Sequence, residues 1–178
     1  QAQNAALAFM ALKTSDLVID LVEAAEGAGQ ADWPARVQKL KDGHLTQLAG
    51  RTVWLDGAHN VHGARALVAS LSSLYPRKWT IIFGTLNTRP ADEFLSIIKP
   101  IADRIYCLTI PDQPAALKAG TLVSCVQSLG LKADPADDIY SACRAIGRLG
   151  ATDDQPVIIC GSLYLAGAVL QANGTLPE

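Results

Sequence analysis

Beyond residue 50, short apolar segments alternate with longer segments in which apolar residues recur every three or four positions. The short segments predict strands over residues 52–55, 79–83, 104–109 and 157–160, with a weaker strand over 131–133. The longer segments predict helices over residues 61–74, 91–101, 114–129 and 137–149. Because strands that are apolar throughout need cover on both faces, this alternation predicts an α/β fold with a doubly wound, mostly parallel sheet flanked by helices.

The first 50 residues follow a less regular pattern. They predict a helix over 4–13, a second helix over 17–26, and a hairpin of two strands over 37–40 and 44–48. Thr14, Ser15 and Asp16 are expected to cap the second helix, and the glycines at 27 and 29 are expected to end it. Near the other end of the chain, Ser162 is expected to be the N-cap of a last helix.

Composition narrows the class of protein. The chain has 178 residues, 49% of them hydrophobic and 18% charged, which is typical of one globular domain and excludes a disordered chain. The formal net charge is −2 and Lys and Arg form no run, so we expect no nucleic-acid partner and no membrane partner. The apolar segment 157–170 would form a helix of about 21 Å, too short for a hydrocarbon core of roughly 30 Å.

The four cysteines, Cys107, Cys125, Cys143 and Cys160, contain no C-x-x-C pair. Each lies in an apolar stretch, and free cysteine behaves as a small hydrophobic residue. We therefore expect free, buried thiols in a reducing compartment, and a cytoplasmic location.

The candidate chemistry lies where strands end, because ligands of doubly wound sheets bind beyond the carboxyl ends of the strands. Asp56 directly follows the first regular strand, and His59, Asn60 and His62 come next, at the start of a helix. A carboxylate at a strand end suits the vicinal hydroxyls of ribose, and an imidazole beside a helix N-terminus suits an anion. The sequence therefore predicts a polar, nucleotide-compatible site over residues 56–62.

Two other interpretations of this segment are open. Asp56 and Asn60 could only cap the following helix. Asp56, His59 and His62 could instead bind a metal ion, since they are spaced i, i+3, i+6, but no fourth ligand or cysteine accompanies them, and we expect no metal site. The chain contains neither G-x-x-x-x-G-K-[ST] nor G-x-G-x-x-G nor G-x-S-x-G, so the common phosphate-binding and nucleophile motifs are absent from this sequence.

Four segments carry a resemblance to a known family. Residues 55–62, L-D-G-A-H-N-V-H, resemble the L-D-G-A-H-N-P-H signature of the folylpolyglutamate synthase and dihydrofolate synthase family and differ only at Val61. Residues 33–38 resemble the family's W-P-G-R-x-Q, and residues 161–167 resemble its G-S-L-Y-L-A-G. Gln1 with residues 4–7 resembles its H-Q-x-x-N-A-A-L helix.

The family belongs to the Mur ligase superfamily. The resemblance implies that residues 31–178 are its C-terminal Rossmann-like domain and that residues 1–30 are a helical tail of the preceding ATPase domain with a linker. The chain would then be a piece of a longer polypeptide, because Gln1 is no initiator and the family's P-loop lies upstream. The implied activity is ATP-dependent ligation of L-glutamate to a folate-type carboxylate through an acyl phosphate, with Mg²⁺ bound mainly by the preceding domain.

The resemblance also implies residue roles on the ATP side. Asn4 would face the adenine, Arg36 would reach the terminal phosphates, and Asp56 would hold the ribose hydroxyls. His59 would lie beside the reacting phosphate, so that His59 and Asp56 would be the catalytic residues of this chain.

On the glutamate side, Arg89 stands where the family commonly has the Lys of G-x-x-x-D-K-D. Arg89, Ser162 and Asn60 would bind the incoming glutamate. An alternative from another class is a non-catalytic nucleotide-binding or regulatory module of the same fold, since fold does not determine function.

Overall fold

The computed structural model of this chain describes residues 2–17, 20–30, 33–150 and 155–175. The chain divides into two compact units, Gln1–Pro34 and Ala35–Glu178. The first unit contains α1 (Ala2–Thr14) and α2 (Leu21–Gln30), and the second contains the sheet with its flanking helices.

The first unit confirms the predicted first helix and shifts the second. The Thr14 hydroxyl donates to the Met10 carbonyl over 2.9 Å, so Thr14 closes α1 instead of opening α2. Asp20 opens α2, because its Oδ1 accepts from the Val22 N–H over 2.8 Å. The helix continues through the glycines at 27 and 29 to Gln30. Residues 18 and 19 of the predicted second helix lie outside the described residues.

The second unit is built on a six-stranded sheet in the order β1-β2-β6-β3-β4-β5. Its strands are β1 (Gln38–Lys39), β2 (Val53–Leu55), β3 (Trp79–Phe83), β4 (Ala102–Leu108), β5 (Lys132–Ala136) and β6 (Val157–Cys160). β1 is antiparallel to β2, and the other four pairs of these strands are parallel. The predicted Rossmann-like, mostly parallel sheet is confirmed.

Helices cover both faces of the sheet. They are α3 (His44–Ala49), α4 (Val61–Leu74), α5 (Ala91–Ile98, followed by a 3₁₀ turn at Lys99–Ile101), α6 (Ala119–Ser128), α7 (Ile139–Arg148) and α8 (Leu163–Asn173). Ile82 of β3 packs with buried residues of α3, α7 and α8, whereas its neighbours Ile81 and Phe83 pack with those of α4, α5 and α6. Successive residues of β3 therefore face two separate cores, which is why this strand is apolar throughout.

The predicted strand over residues 44–48 is wrong, because this segment forms helix α3. Leu45 and Ala49, four positions apart, are both buried, and the Gly43 N–H donates to the Thr46 hydroxyl over 2.9 Å at the start of the helix. The predicted hairpin is therefore absent from this segment, and β1 instead pairs with β2, with Gln38 opposite Leu55.

Cys107, Cys143 and Cys160 are buried, and all four cysteines are free. The expectation of a buried thiol is wrong for Cys125, which is half-buried on α6. Burial raises the pKa of the Cys107 thiol to about 12. Within the described part of the chain, no helix is both long enough and apolar enough to span a membrane.

Candidate functional site at the carboxyl edge of the sheet

Two neighbouring strand ends form the centre of the candidate site. The Asp56 N–H, just beyond β2, donates to the Ile159 carbonyl of β6 over 2.9 Å, and the Gly161 N–H donates back to the Ala58 carbonyl over 3.0 Å. Gly161 has φ of 115°, and a Cβ there would lie 2.5 Å from the Gly84 carbonyl oxygen beyond β3. Only glycine fits this approach of three strand ends. Asp56 and the Gly161–Ser162 turn therefore adjoin at one edge, as the sequence predicts.

The Asp56 carboxylate is only 6% exposed and bonds to backbone on two sides. Its Oδ1 accepts from the Ala58 N–H over 2.7 Å, and its Oδ2 accepts from the Val37 N–H over 2.8 Å. Burial raises the pKa of Asp56, and these two hydrogen bonds and the nearby Arg36 and His59 oppose that rise. The alternative in which Asp56 caps the following helix is not what the structure shows.

Asn60 and His59 are fixed by local contacts at the start of α4. Asn60 is the N-cap, and its Oδ1 accepts from the Gly63 N–H over 2.8 Å, which leaves its side-chain amide free to donate. His59 Nδ1 lies 2.9 Å from the Gly57 carbonyl oxygen. Because a carbonyl only accepts, Nδ1 carries the proton, and Nε2 is free for another group.

An open pocket of about 350 Å³ lies between the start of α4 and the loop after β3. Its lining residues are His59, Asn60, Val61, His62, Thr85, Arg89, Pro90, Ala91, Glu93 and Phe94. The pocket brings together His59, Asn60 and Arg89, which sequence reasoning selected from two distant segments. Asp56 and Ser162 do not line it.

The loop that carries Arg89 is held by a second loop. The Asn87 N–H donates to the Ala115 carbonyl over 2.8 Å, and the Leu117 N–H donates to the Thr85 carbonyl over 3.0 Å. These contacts explain why α6 begins at Ala119, whereas the sequence predicts a start at residue 114. Among the described residues the Arg89 guanidinium has no hydrogen-bond or salt-bridge partner, so it is free to take a ligand.

The remaining candidates lie outside the pocket. Ser162 is 3% exposed and is the N-cap of α8, where its hydroxyl accepts from the Tyr164 N–H over 3.1 Å. Arg36 is exposed, two positions before β1. Asn4 is exposed on α1, in the other unit, and its contact with adenine stays a prediction.

Sequence reasoning missed Thr85 and Glu93 as pocket residues. Thr85 follows the end of β3 by two positions, and this spacing could have indicated it. Glu93 lies in the first turn of α5, and no local pattern indicates that it lines the pocket. No group of three or more His, Cys, Asp or Glu within the described ranges is placed to bind a metal ion. Asp56, His59 and His62 therefore do not form the metal site considered above.

Comparison with known proteins decides the family. The model of the Mur ligase glutamate ligase domain matches residues 36–163, which include Arg36, the Asp56–His62 segment, Arg89 and Ser162. The chain belongs to this family. The resemblance to the folylpolyglutamate and dihydrofolate synthases of the Mur ligase superfamily is thereby confirmed at the level of the family.

Individual relatives agree with the family assignment. The chain is 30% identical over 146 residues to folylpolyglutamate synthase of Lacticaseibacillus casei. The match covers 82% of this chain and 31% of that protein. It is 26% identical to the solved bifunctional folylpolyglutamate synthase/dihydrofolate synthase of Yersinia pestis CO92, with a TM-score of 0.76, covering 97% of this chain and 39% of that one.

A further solved structure, of a bifunctional folylpolyglutamate synthase/dihydrofolate synthase, was determined with Mn, AMPPNP and L-glutamate bound. It is 26% identical to this chain, with a TM-score of 0.73, and the match covers 90% of this chain and 36% of that one. This Mur ligase domain thus spans only about a third of the length of the relatives it matches.

Proposed function

We propose that this domain serves an ATP-dependent ligase that joins L-glutamate to a folate-type carboxylate. The observation that carries the proposal is the pocket at the carboxyl edge of the sheet, in which the unpaired Arg89 faces Asn60 and His59 in a member of the glutamate ligase domain family. A relative that is a folylpolyglutamate synthase, and a structural neighbour that holds a nucleotide and L-glutamate, support the same substrates.

On the glutamate side, the Arg89 guanidinium binds a carboxylate of glutamate through two parallel hydrogen bonds. The free side-chain amide of Asn60 donates to the same substrate, because its oxygen is already used by Gly63. Ser162 is proposed as a further contact, and its hydroxyl can still donate while it caps α8.

On the nucleotide side, Arg36 would bind the terminal phosphates of ATP, Asp56 the ribose hydroxyls and Asn4 the adenine. Each Asp56 oxygen takes one backbone N–H and keeps a lone pair for a ribose hydroxyl. His59, whose Nδ1 is held by Gly57, would present Nε2 to the reacting groups at the rim of the pocket.

In the proposed reaction the acceptor carboxylate attacks the γ-phosphorus of ATP, which forms an acyl phosphate and releases ADP. The amine of glutamate then attacks the acyl carbon, the carbon–oxygen bond to phosphate breaks, and the ammonium proton is lost to solvent as the amide forms. Divalent metal would neutralise charge on the transferred phosphoryl group, but the described residues of this chain do not make its site.

The test uses the full-length protein with ATP, L-glutamate and a folate-type acceptor. Release of ADP and phosphate should require both other substrates. With ¹⁸O in the acceptor carboxylate, one labelled oxygen should appear in the released phosphate, as an acyl phosphate requires. Nucleotide binding without any turnover would contradict the ligase and favour the non-catalytic nucleotide-binding module.

A further inference from the structure

The segment that presents Arg36 has an unusual backbone. Ala35 has φ of 58° and Val37 has φ of 47°, so both residues flanking Arg36 are in the left-handed region. Neither is glycine, and a β-branched residue such as Val rarely adopts this conformation. Such a conformation persists only where the surrounding contacts hold it.

Two hydrogen bonds hold this segment onto the turn after β2, and a third lies within the segment. The Gly57 N–H donates to the Ala35 carbonyl over 2.8 Å, and the Ala35 N–H donates to Gln38 Oε1 over 2.8 Å. The Val37 N–H donates to Asp56 Oδ2 over 2.8 Å, at a separation of nineteen positions. The contact with Asp56 is the one that depends on a buried charged side chain, and charge-assisted hydrogen bonds are the stronger kind.

We propose that Asp56 is a positioning residue for Arg36, which acts by fixing the Val37 amide and so presenting the guanidinium to the nucleotide phosphates before the nucleotide arrives. This inference rests on the proposed function. It adds to Asp56 a task separate from its proposed ribose contact, and the two tasks use different lone pairs of the same carboxylate.

Nucleotides without ribose hydroxyls separate the two tasks. With 2′,3′-dideoxyATP the ribose contact is absent in every variant, so any remaining effect of Asp56 acts through the protein. Asp56→Asn keeps the shape and one acceptor oxygen but cannot accept from both amides. We expect it to lower kcat/KM for 2′,3′-dideoxyATP roughly tenfold in the full-length enzyme, as loss of one charge-assisted hydrogen bond would.

The same substitution in an Arg36→Ala background should lower kcat/KM less than about twofold, because a residue that acts through Arg36 has nothing left to position. A loss seen with ATP but not with 2′,3′-dideoxyATP would overturn the proposal and leave only the ribose contact. A tenfold loss that persists without Arg36 would overturn it as well.

Two substitutions at Val37 test the segment without altering Asp56. Val37→Pro removes the N–H and cannot adopt a positive φ, so it should reproduce the loss caused by Asp56→Asn. Val37→Gly keeps the N–H and adopts the observed φ freely, so it should retain most of the activity. Asp138→Ala, which removes a helix cap at another position, controls for lost stability and should leave kcat/KM unchanged.

Amide exchange in this chain gives a readout that does not need turnover. In the wild type the Val37 amide should exchange slowly, and in Asp56→Asn at least about tenfold faster, while the amides of β3 keep their rates. An unchanged Val37 rate would overturn the proposal. If the full-length protein proved inactive, the ligase function would fail, and this exchange measurement would still decide whether Asp56 holds the segment.

Discussion

The side-chain oxygen of Asn173 accepts a hydrogen bond from the Leu45 backbone N–H over 3.0 Å, across 128 positions of the chain. The same side chain donates to the Lys41 carbonyl over 3.0 Å, and Asn173 is 2% exposed. The end of α8 is therefore joined to the start of α3. A Cβ at Gly43 would lie 2.2 Å from the main-chain carbonyl oxygen of Asn173, so this junction also requires glycine at position 43.

Asn173→Ala should lower the free energy of unfolding by about 1–3 kcal/mol, because it leaves the Leu45 N–H and the Lys41 carbonyl without their partner. Urea unfolding followed by circular dichroism measures the change. Gln171→Ala, at an exposed position of the same helix, is the matched control and should change stability by less than about 0.5 kcal/mol. Equal effects of the two substitutions would mean that the buried amide contributes nothing specific.

Ala35→Gly should stabilise the protein, by about 0.5–1 kcal/mol. Ala35 is held at φ of 58°, where a Cβ costs roughly 1–2 kcal/mol, and this exceeds the entropy that glycine loses on folding. The related family segment has glycine at this position. Ala69→Gly, on the exposed face of α4, should instead destabilise by about 1 kcal/mol, so the same substitution is expected to have opposite signs at the two positions.

Arg89→Ala should raise KM for glutamate about 10- to 150-fold and leave KM for ATP nearly unchanged, because it removes the guanidinium that lines the pocket. Steady-state kinetics of the full-length enzyme measures both constants. Arg65→Ala, at an exposed position on α4, should change neither.

Arg89→Lys shows which geometry the pocket uses. A nearly normal glutamate KM would mean that a point charge is sufficient, whereas a loss close to that of Ala would mean that two parallel hydrogen bonds are needed. An unchanged glutamate KM in Arg89→Ala would mean that the loop carrying Arg89 does not bind glutamate.

The N-cap of α7 should give a pH-dependent stability. The Ser141 backbone N–H donates to Asp138 Oδ1 over 2.6 Å and, with the Ser141 side chain, lowers the pKa of Asp138. A carboxyl whose pKa is lower in the folded state stabilises the fold above its unfolded value, and this contribution is lost as pH falls through the folded pKa. Asp138→Ala should therefore cost about 0.5–2 kcal/mol at pH 7 and less in acid.

Unfolding of wild type and variant from neutral pH to below pH 3 measures this difference. Asp138→Asn keeps a neutral cap. The difference in unfolding free energy between Asp138→Asn and Asp138→Ala should therefore stay nearly constant with pH. A constant difference between wild type and Asp138→Ala across the range would contradict a role for the ionised carboxylate.

The 178-residue chain alone should unfold cooperatively but hydrolyse no ATP. Two buried clusters cover the two faces of its sheet, whereas its sequence lacks a phosphate-binding P-loop. Calorimetry and a phosphate-release assay measure the two properties. Glutamate-dependent turnover by these residues alone would show that the phosphate site lies within them.

Prediction from the sequence succeeded where local interactions determine an element and failed where contacts with distant residues determine it. The limits of α4, Val61–Leu74, were predicted correctly because the Asn60 cap and the apolar periodicity are local signals. The 44–48 segment was misassigned because so short a segment with few apolar positions does not distinguish a helix from a strand. Its helical form depends on burial of Leu45 and Ala49 against distant residues.

The candidate site shows the same division. Asp56, His59 and Asn60 form a contiguous motif, and Arg89 was selected because it stands where the family resemblance implies a cation, in the loop after a strand. The hydrogen bond from Val37 to Asp56 could not be predicted, because it joins two loops through a backbone amide that any residue type would supply. The place of Glu93 in the pocket depends on how α5 packs beside α4, which no local pattern specifies.

The short strand β1, two residues after Arg36, also closes one open edge of the sheet by pairing with β2. At the other edge, Pro135 of β5 has no N–H to offer a further strand. Unpaired strand edges are where β proteins associate into aggregates, and a very short edge strand and an edge proline both disfavour this pairing. Release of the segment around Arg36 from the sheet would expose the unpaired edge of β2. Aggregation of a variant in this segment would then report that the segment has undocked.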